Sequence, residues 1–71
     1  MQKMPIKNFY GQIIGYIETD EKTGNKTVRN FYNQILGYYD AKRNVTLDFY
    51  NRIVAQGDAA AALIDLNTDN K

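Results

Sequence analysis

Apolar residues in this chain come in short clusters broken every few positions by polar and turn-forming residues. Residues 12–18, 34–40 and 52–56 are rich in Ile, Val, Leu and Tyr. Each is preceded by a shorter stretch, 5–8, 26–30 or 44–48, that mixes apolar with polar side chains. These are strand compositions and strand lengths. Between the pairs lie 19–25 and 41–44, which carry Asp, Lys, Gly and Asn, the residues of turns. The pattern changes after Gly57-Asp58. Asp58 is a good helix N-cap, and the run Ala59-Ala60-Ala61-Ala62-Leu63-Ile64-Asp65-Leu66 has high helix propensity. Leu63, Ile64 and Leu66 gather with alanines on one side. A helix over about 58–66 is too short to stand alone in water, so that side must lie on the sheet. Residues 67–71 read as a polar tail. The expected fold is mainly β, with an α+β character at the C-terminus: three consecutive antiparallel β-hairpin repeats followed by one short C-terminal helix. One domain spans 1–71, with repeats at about 5–20, 26–41 and 44–57.

The clusters are copies of one unit. Asn8-Phe9-Tyr10-Gly11-Gln12-Ile13-Ile14-Gly15-Tyr16 returns as Asn30-Phe31-Tyr32-Asn33-Gln34-Ile35-Leu36-Gly37-Tyr38 and again as Asp48-Phe49-Tyr50-Asn51-Arg52-Ile53-Val54-Ala55-Gln56, at offsets of 22 and 18 residues. Asn8, Asn30 and Asp48 open each unit with a short side chain able to bond back to the backbone. Three residues on stand Gly11, Asn33 and Asn51, the residue types that tolerate positive φ most cheaply. A type I turn closed by a left-handed residue is a standard hairpin connection.

Strict recurrence of one large apolar residue at one repeat position predicts a buried set: Phe9, Phe31 and Phe49, with Ile13, Ile35 and Ile53 beside them. The outgoing strands put these isoleucines on one face and Ile14, Leu36 and Val54 on the other, which predicts cover on both sides. Gly15, Gly37 and Ala55 follow at equivalent places. Small residues inside strands mark a bend or the close approach of other chain, here expected as three copies packing around a shared centre.

The Asn/Asp-Phe-Tyr-Gly/Asn-x-Ile-x-Gly/Ala unit, over about residues 5–56 and extending to the closing segment 57–64, resembles short bacterial repeat proteins described as β-flower proteins. The resemblance implies hairpin petals around a pseudo-symmetry axis, often four of them. Only three petals are visible here, so the helix would take the fourth place. It transfers no catalytic residue and no assigned function.

Composition narrows the chemistry. The 71 residues contain no Cys, no His and no Ser, which removes the usual nucleophile and base sets. The carboxylates read as turn caps or solvated surface: Asp48 opens a turn where its counterparts are Asn, and Glu18, Asp20 and Asp40 lie near loop ends. The expectation is no enzyme, no catalytic residue, no metal and no cofactor. No apolar run approaches the roughly 18 residues of a membrane span, and the first residues lack the apolar core of a secretory signal. With the missing cysteines, this points to a cytoplasmic protein. Net charge is +1, which disfavours nucleic acid as the main partner. Nine aromatics, six of them Tyr, exceed what a disordered chain carries.

The expected role is a small non-catalytic interaction or structural module, with an unknown protein partner or a second copy of itself. The candidate binding surface is Tyr10, Tyr32 and Tyr50 with Arg29 and Arg52. Tyr supplies contact area at little entropic cost. Alternatively, the same Tyr/Arg-rich face, with Lys7 and Lys26 nearby, stacks nucleic-acid bases or holds a sugar or other small ligand. A chain this short, with strand edges to hide, also invites homodimer formation.

Overall fold

The computed structural model describes residues 2–68, with side chains as far as Ile64. Six strands run β1 (Gln2–Lys7), β2 (Ile13–Thr19), β3 (Lys26–Asn30), β4 (Ile35–Asp40), β5 (Val45–Asp48) and β6 (Ile53–Gln56). A helix, α1 (Ala60–Thr68), follows. All neighbours are antiparallel, and the spatial order is the sequence order, β1-β2-β3-β4-β5-β6. Three hairpins and a C-terminal helix are therefore present as the strand and turn chemistry requires. The side chain of Leu66 and residues 69–71 of the expected tail lie outside the described residues.

Each hairpin breaks register once, at the same repeat position. Ile6 pairs with Gly15 but Lys7 with Ile13, skipping Ile14. Val28 pairs with Gly37 but Arg29 with Ile35, skipping Leu36. Thr46 pairs with Ala55 but Leu47 with Ile53, skipping Val54. These are β-bulges, which bend the strand and re-aim the extra side chain. The bulged Ile14 and Leu36 pack against the core beneath the helix, whereas Val54, away from the helix, is exposed.

The helix lies across β2, β3 and β4. Its Ala60, Leu63 and Ile64 form the core with Ile17 and Val28, and Ile6, Ile14 and Leu36 fill the margin. Burying a side chain such as Val28 or Ile64 contributes about 1.5–3 kcal/mol. The repeat pattern predicts that Gly15, Gly37 and Ala55 pack around a shared centre, but β2, β4 and β6, which carry them, are not neighbours in the sheet. They lie along a linear strand order, and the helix comes down onto two of them. A Cβ on Gly15 would stand 2.8 Å from Ile64 Cδ1 and 2.6 Å from the Arg29 carbonyl oxygen. One on Gly37 would stand 2.8 Å from Leu63 Cδ1 and run into the Leu47 carbonyl oxygen. Glycine is needed at both because neighbouring backbone and helix side chains already occupy the space.

The chain reaches this position over β5. The Thr46 hydroxyl donates to the Gly57 carbonyl (2.7 Å) and accepts from the Ala59 N–H (2.8 Å). Thr46 is fully buried. Asp58 accepts from the Ala60 N–H at 3.2 Å and pairs with Lys26 on β3. Cover is uneven. The expectation that the outgoing strands are enclosed on both faces is corrected at Ile13 and Ile53, which are exposed because the single helix lies on the other face. On β5, however, Val45 and Leu47, which alternate with Thr46, are buried on the face away from the helix.

Candidate binding surface at the hairpin tips

In an antiparallel meander the first, third and fifth connections fall at one end of the sheet. The three Asn/Asp-Phe-Tyr turns therefore stand side by side. The strand pairs that carry successive tips are two strand spacings apart, roughly 10 Å. Each is also turned relative to the last by about twice the strand twist, some 40–50°.

Each tip is built by one set of local bonds. The N–H of Gly11, Asn33 and Asn51 donates to the carbonyl of Asn8, Asn30 and Asp48, at 3.0 Å in all three turns. Those closing residues have φ of 79, 70 and 66°, the left-handed conformation that their residue types predict. The opening side chain accepts twice: Asn8 Oδ1 from the N–H of Tyr10 and Gln12, Asn30 Oδ1 from Tyr32 and Gln34, and Asp48 Oδ1 from Tyr50 and Arg52, all at 2.8–3.0 Å. The remaining atom of each opener pairs with the residue four positions on. Asn8 Nδ2 donates to Gln12 Oε1 and Asn30 Nδ2 to Gln34 Oε1, whereas Asp48 Oδ2 accepts from Arg52 Nε. The third repeat thus changes both partners together, an amide pair becoming an ion pair. The Arg52 backbone N–H is the largest influence holding the Asp48 carboxyl below its ordinary value. The Arg52 guanidinium and the Tyr50 N–H add to it, against partial desolvation.

With these bonds holding the turn, the two central side chains project outward. Phe9, Phe31 and Phe49 are 96, 56 and 55% exposed. The expectation that they form the buried core is therefore overturned. They occupy the two middle positions of a tight turn with their tyrosines, outside the helix-covered core, with Phe9 almost free and Phe31 and Phe49 about half covered. Tyr10, Tyr32 and Tyr50 are 82, 79 and 73% exposed. Each Phe meets its Tyr edge to face, with centroids 5.6, 5.5 and 5.4 Å apart and planes at 83, 84 and 79°. The result is one aromatic pair presented three times in one geometry.

The basic residues divide. Arg52 belongs to the third tip, its guanidinium 5.2 Å from the Tyr50 ring centre. Arg29 stands behind the second tip, where it donates to Glu18 Oε1 (2.8 Å) and to the Asn33 carbonyl (2.9 Å). Lys7 ends β1 beside the first tip. Lys26 is at the far end of β3, tied to Asp58 and 5.7 Å from the Tyr39 ring, and takes no part in the row. Around the aromatics the polar rim is mainly amide: Asn8, Gln12, Asn33, Gln34 and Asn51 are at the surface or partly so. Among the described residues no group of three or more acidic side chains is arranged to hold a metal ion, and no helix is long and apolar enough to cross a membrane.

No protein-family profile matches the chain, and no similar curated protein or solved structure is found.

Proposed function

We propose that the protein is a non-catalytic binding module that engages its partner through the row of aromatic tips. The observation that carries this is the threefold repetition of an exposed Phe–Tyr pair on turns that do not need aromatics. The turn bonds come from Asn8, Asn30, Asp48 and the backbone, so the rings contribute little to holding the hairpins. Six large aromatic side chains in a single row form an apolar patch of the kind that marks an interaction site. Replacing all six aromatics with Ser tests the reading. The variant is expected to keep the circular dichroism and cooperative melt of the parent while losing binding on arrays of glycans, oligonucleotides and lipids. A variant that fails to fold, or that binds as the parent does, refutes it.

A second reading is self-association through the sheet edges. β1 and β6 are the outermost strands, and Met4, Ile53 and Val54 are exposed on them, which is a template for pairing with another copy. Light scattering over a wide concentration range tests it: a mass that stays at one chain excludes the dimer.

A further inference from the structure

The two outer edges of the sheet are unlike, and the difference centres on one residue. By the 22- and 18-residue offsets, Pro5, Thr27 and Val45 occupy one repeat position. The Asn8 N–H donates to the Gln12 carbonyl and the Asn8 carbonyl accepts from Gly11, so Asn8 turns its backbone groups into the first hairpin. Backbone direction alternates along an antiparallel strand. Ile6 therefore also points inward, and Lys3, Pro5 and Lys7 point out of the β1 edge. The same count from Asn30 and Asp48 turns Thr27 and Val45 outward. There they pair with Glu18 on β2 and Asp40 on β4, joining each hairpin to the one before. Pro5 holds this joining position on β1, and it has no N–H to give.

We infer that Pro5, flanked by Lys3 and Lys7, is a guard that keeps a second copy of the chain off the β1 edge. Two such edges would meet antiparallel about a two-fold axis. Centred on Pro5, that pairing sets proline against proline and loses both bonds of the central pair. It also sets Lys3 of each copy opposite Lys7 of the other, and like charges directly opposite are destabilising. Both lysines are exposed. Sliding the register by two residues still leaves each Pro5 opposite a lysine and short of its donor. Lysine and proline on an outer strand are the means by which sheets refuse further strands. A strand tethered in the same chain tolerates one missing bond, because tethering makes its pairing intramolecular. A separate copy bears the full cost of association. β6 carries neither a proline nor a charge over Ile53–Gln56, so the self-association proposed above is left with that edge.

The test follows mass by light scattering from about 10 µM to about 1 mM, together with hydrogen exchange at the outward Lys7 amide. Three full-length chains are compared, each checked for folding by circular dichroism. They are the parent, Pro5→Val, which installs the counterpart found at Val45, and Lys3→Glu/Pro5→Val, which also turns the facing charges into ion pairs. The Lys7 amide of the parent is expected to exchange fast at every concentration. The double variant should approach two chains at a concentration at least about tenfold below any at which the parent does, since two backbone bonds and two ion pairs are gained. Its Lys7 amide should slow as the mass rises, and Pro5→Val should fall between. A folded double variant that stays at one chain overturns the inference, as does a parent whose Lys7 amide becomes protected as its mass rises. If the double variant does not fold, Pro5→Val decides on the same readings. A parent that gains mass while Lys7 exchanges fast supports both the guard and self-association through β6. A parent fixed at one chain beside an assembling variant rejects self-association and leaves the guard standing.

Discussion

The tips and the helix-covered centre of the sheet are made from the same three repeats, yet they follow opposite rules. At the tips the repeats are nearly identical, Asn/Asp-Phe-Tyr-Gly/Asn each time, and the large residues face solvent. At the centre, equivalent positions diverge. Ile6, Val28 and Thr46 occupy one repeat position on one face, and the third is polar because the chain crosses it there to reach the helix. Gly15, Gly37 and Ala55 share another, and only the two glycines lie under α1. The core is asymmetric because a single helix covers only three of the six strands. Identity among repeats therefore reports what each hairpin does alone, and divergence reports what the hairpins do together.

That contrast can be broken most severely from the centre. Ile64→Ala removes the fully buried contact between α1 and Gly15 and should cost about 2–5 kcal/mol. This is much of the stability of a domain this small, so chemical denaturation should find little or no native baseline. Gly37→Ala forces a Cβ toward Leu63 and the Leu47 carbonyl, and an overpacked site of this kind costs about 1–3 kcal/mol. The matching change Gly15→Ala should behave alike, while Ala55→Gly should cost less than about 1 kcal/mol, the backbone entropy alone. Equal denaturation midpoints for Gly37→Ala and the parent would remove the helix from its assigned seat.

At the tips the backbone matters more than the rings. Asn33→Val places a β-branched residue at φ 70° and should destabilise by about 1–2 kcal/mol, whereas Asn33→Gly should be neutral or mildly stabilising. Coincident urea midpoints for these two variants would count against the turn geometry. Phe31→Ala should cost about 1 kcal/mol or less, the scale of one edge-to-face aromatic contact. A loss of several kcal/mol would return Phe31 to the core.

The smallest effect separates the tips from one another. Asp48 has a depressed pKa in the folded chain. Its contribution to stability is present above the unfolded value, near about 3.9, and is lost as pH falls through the folded one. Asn8 and Asn30 do not titrate. In an NMR titration from neutral to acid pH, the amide signals of Tyr50 and Arg52 should move while those of Tyr10, Gln12, Tyr32 and Gln34 stay. Asp48→Asn should abolish the difference. Asp40 and Asp58 are also depressed, Asp40 chiefly by a hydrogen bond from Arg43. At Asp58 desolvation opposes the shift, and the hydrogen bond from Lys26 and the Ala60 N–H outweigh it. Acid should therefore loosen the C-terminal half first.

How much of this could be read from residues alone follows the range of the interactions. The left-handed Gly11, Asn33 and Asn51 were legible because a positive φ is a property of one residue and its neighbours. The hairpins and the helix were legible for the same reason. The outward Phe residues were not, since recurrence marks a shared role without saying whether that role is packing or presentation. The bulges at Ile14, Leu36 and Val54 left no trace in composition. The Thr46 hydrogen bonds to Gly57 and Ala59 join residues distant in sequence and leave only a polar residue among apolar equivalents. The tandem change from Asn–Gln to Asp–Arg was visible by aligning the three copies, as a swap that keeps a side-chain pair while altering its charge. Tyr10, Tyr32 and Tyr50 were singled out as candidate site residues, but their aromatic partners one position earlier were assigned to the interior. Lys26 was grouped with them although the strand carries it to the far end.

The Thr46 hydrogen bonds give the sheet a polarity. They tie the segment leading into α1 to β5, which anchors the last hairpin, while among the described residues β1 has no strand paired on its outer edge. A further copy of the 22-residue unit placed ahead of β1 would pair along that edge and leave the helix, the two glycine seats and the Thr46 hydrogen bonds untouched. It would add a fourth aromatic pair one interval further along. Built this way, the sheet would lengthen on the β1 side, the number of tips set by copy number and stability set separately by the anchored end.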